Sequence, residues 1–87
     1  MKTYPMTIED RLKTLFNDAL HLQGRSADWD KRTPLLGSLP ELDSLAVVGV
    51  ISAIENEFRF KIEDDEINAE MLASVGSLAK FVERKLG

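Results

Sequence analysis

Few residues in this chain are suited to chemistry: Asp43-Ser44-Leu45, the single His21, and the acidic run Glu63-Asp64-Asp65-Glu66. Asp43 is a strong N-cap type, which makes Ser44 the first residue of a helix. A hydroxyl at that position is exposed, and the first-turn amides and the helix dipole favour a phosphate beside it. A phosphodiester on Ser44 would be stabilised where it forms. The plain alternative is that Asp43-Ser44 does no more than start a helix, since Ser and Asp are the commonest capping types. His21 lies near a helix C-terminus, where an imidazole is favoured without any catalytic role. The acidic run lacks the alternating spacing and the glycine of a calcium loop, so it reads as a solvated helix start. Trp29 reads as a loop anchor with its indole N–H hydrogen-bonded. The sequence holds no carboxylate–histidine cluster, no glycine-rich phosphate loop and no metal-ligand spacing. The expectation is a non-enzyme, with no catalytic residue and no metal site.

Helices must position Ser44. Ile8, Leu12, Leu15, Phe16 and Ala19 recur on one helical face, with Thr7 and Asp10 as a capping box, so a first helix is predicted over about 7–22. Residues 23–42 contain Gly24, Pro34, Gly37 and Pro40 and form a connection longer than the usual limit of about 12–15 residues. Trp29 and Leu35-Leu36 would pin it to the core. A second helix is predicted over 44–58, with Leu45, Val48, Ile51, Ile54 and Phe58 at helical steps. Phe58 to Ile62 alternates apolar and polar but has no partner strand, so it reads as an extended linker with Phe60 or Ile62 plugging the core. The acids that follow start a short third helix over about 64–71. Ser74 caps a last helix over 75–86, built on Val75, Leu78, Phe81, Val82 and Leu86, with Lys80, Arg84 and Lys85 toward its C-terminus. The fold class is all-α: a four-helix bundle with a long loop between helices 1 and 2 and a short helix 3.

Composition agrees. The chain has 87 residues, 44% hydrophobic and 30% charged, which suits one small folded domain over 1–87 and argues against disorder. Cysteine is absent, which excludes disulfides, thiolate metal sites and a cysteine nucleophile. No apolar run is long enough to span a membrane, and Met1-Lys2-Thr3 does not lead into a signal-peptide core; a cytoplasmic protein is expected. The formal net charge is −4: residues 1–34 carry six bases and five acids, residues 35–87 five bases and ten acids. The acidic second half disfavours nucleic acid, including a helix-turn-helix role, and favours a basic protein partner.

The four-helix order, the long first loop and Asp43-Ser44-Leu45 opening the second helix together resemble the acyl carrier protein family. Further matches are Ile54-Glu55-Asn56-Glu57-Phe58, Phe60-Lys61-Ile62 with the acidic run, and Ser74-Val75-Gly76-Ser77-Leu78. The resemblance covers about residues 7–86. It implies that Ser44 is esterified by 4′-phosphopantetheine, transferred from coenzyme A by a phosphopantetheinyl transferase. The arm's thiol would carry acyl groups as thioesters. Asp43 would cap the helix and help position the transferase, and Leu45 would pack at the docking rim. Val48, Ile51, Ile62 and Leu72 would line a slot for the acyl chain. Further partners implied are an acyl-activating ligase and acyltransferase or synthase enzymes, with the carrier a monomer.

Two features depart from the fatty-acid carriers. The acids that usually follow the serine are replaced by Ala46 and Gly49, which with Ala53 make a small-residue stripe. Partner contacts are expected over Ala46, Gly49, Val50 and Ala53, with acidic recognition moved down to Glu55 and Glu57. Leu36 to Leu42 also places more residues before the motif than the shorter housekeeping pattern. Together with Ala46-Val47-Val48 and Asp64-Asp65-Glu66-Ile67, this is similar to carriers that accompany exosortase and surface-polysaccharide gene sets. The expectation is a dedicated carrier for a specialised pathway. An aminoacyl carrier and an unmodified helical adaptor are the alternatives.

Overall fold

Thr7 accepts a hydrogen bond from the Asp10 amide at 3.0 Å, and the Asp10 carboxylate accepts from the Thr7 amide at 3.4 Å. This capping box starts α1, Ile8–Leu20. The computed structural model describes residues 7–87. The reading of the leader and of the first six residues of the domain lies outside them. Two further α-helices follow, α2 at Ser44–Phe58 and α3 at Val75–Leu86, with 3-10 turns at Arg25–Asp28 and Asp64–Glu66. The all-helical fold class holds, and α1 packs against both α2 and α3.

Two boundaries differ from expectation. α1 stops at Leu20 because His21 turns left-handed (φ 54°), which swings Leu22 into the core, where it is fully buried. The predicted third helix is only the 3-10 turn Asp64–Glu66, held by a capping box between Glu63 and Glu66. Ile67 is extended, and the Asn68 side chain takes the Met71 amide at 2.9 Å. A side chain that captures a nearby amide competes with helix continuation. Met71 and Leu72 are thereby turned into the core.

The core joins Leu12, Leu15 and Phe16 of α1 to Val50, Ile51, Ile54 and Phe58 of α2 and to Val75, Leu78, Ala79, Phe81 and Val82 of α3. Ala19, expected on the buried face, is exposed; Leu20 packs against the core instead. The long connection contributes Leu22, Leu35 and Leu42, all buried. Trp29 meets Phe16 edge-on, with ring centroids 5.9 Å apart. Trp29 is half-buried, and its indole N–H has no hydrogen-bond partner among the described residues. Ring packing on Phe16 anchors it to α1. Ser26 is buried and donates to the Lys13 carbonyl at 2.9 Å, which pins the first 3-10 turn to α1.

Residues 31–36 then run antiparallel to 72–76. The Leu35 and Leu36 amides donate to Ala73 and Leu72, and the Val75 and Gly76 amides donate to Thr33 and Lys31. The last two are first-turn amides of α3, which a helix leaves without internal partners. Ser74 caps the same end through Ser77. The 60–66 segment is tied down by Phe60, which stacks on Phe58 at 6.3 Å and lies under the Lys85 ammonium at 5.8 Å. Lys85 also pairs with Glu66 at 2.9 and 3.1 Å. Arg11 binds Glu57 at 2.9 Å and lies 4.4 Å over the Phe58 ring, joining α1 to the end of α2.

Two measurements check this framework. A Cβ at Gly76 would lie 2.7 Å from the Lys31 carbonyl oxygen. Gly76→Ala should therefore cost about 1–3 kcal/mol in denaturant titration, because backbone must move. Glu66, through the Glu63 backbone and then Lys85, and Glu41, through Arg25, are held below the usual carboxylate range. A carboxyl lowered in the folded state adds stability above its unfolded value and loses it as pH falls through the folded value. Unfolding midpoints should drop on acidification below about pH 4.5. Lys85→Met should flatten part of that drop.

Candidate functional site

Asp43 is extended and its carboxylate accepts the Ala46 amide at 2.8 Å, which ends the connection and begins α2 at Ser44. The predicted cap and start residue are thus where expected. Leu42, immediately before, is buried and holds the entry to the helix. Glu41 pairs with Arg25 of the first 3-10 turn, which ties the approach to the site back to the connection. Ser44 is exposed. The Ser44 and Leu45 amides have no hydrogen-bond partner among the described residues, so two first-turn donors remain beside the hydroxyl. A phosphate ester on Ser44 fits this donor set and the positive end of the dipole.

α2 is rotated relative to the sequence-based expectation. Its buried face is Val50, Ile51, Ile54 and Phe58, while Leu45 and Val48 are 84% and 65% exposed. At about 100° per residue, Leu45 lies half a turn round from Ile54. Leu45 and Val48 therefore flank Ser44 as solvent-facing aliphatics. Val50, expected as a partner contact, is fully buried in the core and cannot serve as one. Periodicity misplaced it because α2 is apolar at most positions over its first eleven residues, so several rotations fit the pattern.

Gly49 is exposed, with open space where a Cβ would stand. Ala46 and Ala53 pack partly against the core. Ala53 and Glu57 border a cleft of about 770 Å³ between α1 and α2, which does not include Ser44. The two acids expected to recognise a partner both make contacts within the chain. Glu57 is paired with Arg11, and the Glu55 carboxylate accepts the Ile62 amide at 2.7 Å.

On another side of α2, a cleft of about 380 Å³ opens toward residues 61–67. Val48, Ile51 and Ile62 line it, as the slot reading requires. Leu72 does not; it is buried in the core. Val47 and Ile67 complete the apolar lining. Sequence reading missed both, and Ile67 was hidden by the assumption of a helix over 64–71. His21 is an exposed helix C-cap. Among the described residues no group of three or more His, Asp or Glu gathers as a metal site, and no helix is long and apolar enough to cross a membrane.

Asp43→Ala should cost about 1 kcal/mol by loss of the cap, and Leu45→Ala less than about 0.5 kcal/mol, as measured by thermal unfolding.

The family model described as a phosphopantetheine attachment site matches residues 10–82. Among solved structures, the solution NMR structure of a holo acyl carrier protein from Nitrosomonas europaea is similar at a TM-score of 0.87 and 44% identity. That match covers 93% of this chain and 98% of the other. The chain belongs to the phosphopantetheine-attachment family of acyl carrier proteins, carriers rather than catalysts, whose covalent cofactor is 4′-phosphopantetheine.

Proposed function

We propose that Ser44 is the attachment residue, and that the protein carries acyl groups as thioesters to the enzymes of a specialised cytoplasmic pathway. The observation that carries this reading is the exposed Ser44 hydroxyl at the capped start of α2, beside two first-turn amides that have no partner among the described residues. Asp43 holds the helix end in place, so the hydroxyl is presented at a fixed point of a rigid element. The 4′-phosphopantetheine arm supplies the thiol on which an acyl group is held. Tethering raises the effective concentration of that group at each partner's active site. The nearby apolar cleft between α2 and residues 61–67 supports an acyl cargo over an aminoacyl one, because its aliphatic lining would shelter a hydrocarbon chain.

Leu45 and Val48, with Gly49 open beside them, form the face a phosphopantetheinyl transferase would meet on its way to Ser44. An acyl-activating ligase, acyltransferases or synthases would use the same approach. The absence of acids at Ala46 and Gly49 supports service to a dedicated set of partners.

Incubation with coenzyme A and a broad-specificity phosphopantetheinyl transferase should raise the intact mass by one phosphopantetheine. Ser44→Ala should abolish the gain. An unchanged wild-type mass would favour the unmodified adaptor, and modification of another residue would reject Ser44.

A further inference from the structure

We infer that Glu55 sets the width of the cargo cleft: its carboxylate latches the outer wall to α2, and the length of acyl chain admitted depends on that hydrogen bond. The inference rests on the reading of Ser44 and the cleft proposed above.

The cleft has one rigid side and one attached side. The rigid side is α2, through Val47, Val48 and Ile51. The attached side is the stretch 61–67, which holds only the 3-10 turn Asp64–Glu66, through Ile62 and Ile67. Ile54, Leu72 and Leu78 of the core are at most 2% exposed and do not border the cleft. A chain that outgrows the cleft gains further buried room when the outer wall moves away from α2.

Besides the stacking of Phe60 on Phe58 and the burial of Ile62, two polar fastenings hold that wall. Glu66 with Lys85 ties its far end to α3, and neither residue borders the cleft. Among the described residues, one hydrogen bond joins the wall to α2 beyond the helix's own C-cap: the Ile62 amide donating to the Glu55 carboxylate at 2.7 Å. Both residues border the cleft. A hydrogen bond to an ionised acceptor is short and strong, and an amide deprived of it while part-buried is penalised. A short chain leaves this bond intact. A long chain must break it. Glu55 is therefore a positioning residue that grades cargo by length, which also explains why this acid near the C-terminal end of α2 is turned toward Ile62.

The test uses the holo protein loaded on Ser44 with butyryl or dodecanoyl groups. Hydrogen exchange of the Ile62 amide, followed by NMR, should match the unloaded holo protein with butyryl. It should be at least about tenfold faster with dodecanoyl, reflecting an opened latch. Glu55→Ala should protect the dodecanoyl thioester from hydroxylamine about threefold better than wild type and leave the butyryl thioester unchanged. Glu55→Gln should restore the wild-type pattern, because its amide oxygen can accept the same bond. Equal Ile62 exchange in both loaded forms overturns the inference, as does a Glu55→Ala profile identical to wild type or a failure of Gln to rescue. If Glu55→Ala does not fold, the wild-type exchange measurement decides alone. If the transferase leaves Ser44 unmodified, the attachment reading itself fails and this inference falls with it. Normal loading with unaltered exchange rejects only the latch.

Discussion

Four main-chain hydrogen bonds between residues 31–36 and 72–76 organise the molecule. They give the first amides of α3 the acceptors that a helix cannot supply for itself. They also lay Leu35 into the core and fix the path of a connection that would otherwise be costly to order. A chain without cysteine has no disulfide to do this, and a domain of this size has little core to spare. From that fixed path the connection reaches Leu42 and Asp43, and so sets where α2 begins. The position of Ser44 is thus a consequence of contacts made more than twenty residues away in sequence, at the start of α3.

α2 serves two surroundings. Val50, Ile51, Ile54 and Phe58 face the core, while Leu45, Val48 and Gly49 face outward. Exposed Leu and Val beside Ser44 are unfavourable in water and useful only when covered. A glycine within a helix lowers its stability by roughly 0.5–1 kcal/mol relative to alanine. Both features sit on the same outer face, near the start of the helix, and neither contributes to the stability of the isolated domain.

Much of this was readable in the residues. The capping pair Thr7/Asp10, the Asp43 and Ser74 caps and both ends of α2 and α3 follow from local chemistry, which sequence records directly. Three things were not. The rotation of α2 was hidden because an almost wholly apolar segment carries a weak amphipathic signal. The short third helix was overestimated because acids at a helix start look the same whether one turn or two follow, and the Asn68 side chain decided the matter. The inward use of Glu55 and Glu57 depended on where Ile62 and Arg11 come to lie, which is a tertiary fact. Acids on a helix surface read as solvated until their partners are placed.

The aromatic contact between Trp29 and Phe16 gives the connection an optical signature of its own. Trp29 is the chain's single tryptophan, and it stands in the segment that carries no α-helix, packed on α1 at 5.9 Å. Far-ultraviolet dichroism reports the three helices; indole emission reports the seating of the strap on α1. Comparison of the two signals during unfolding would separate detachment of the connection from melting of the bundle, without any introduced dye.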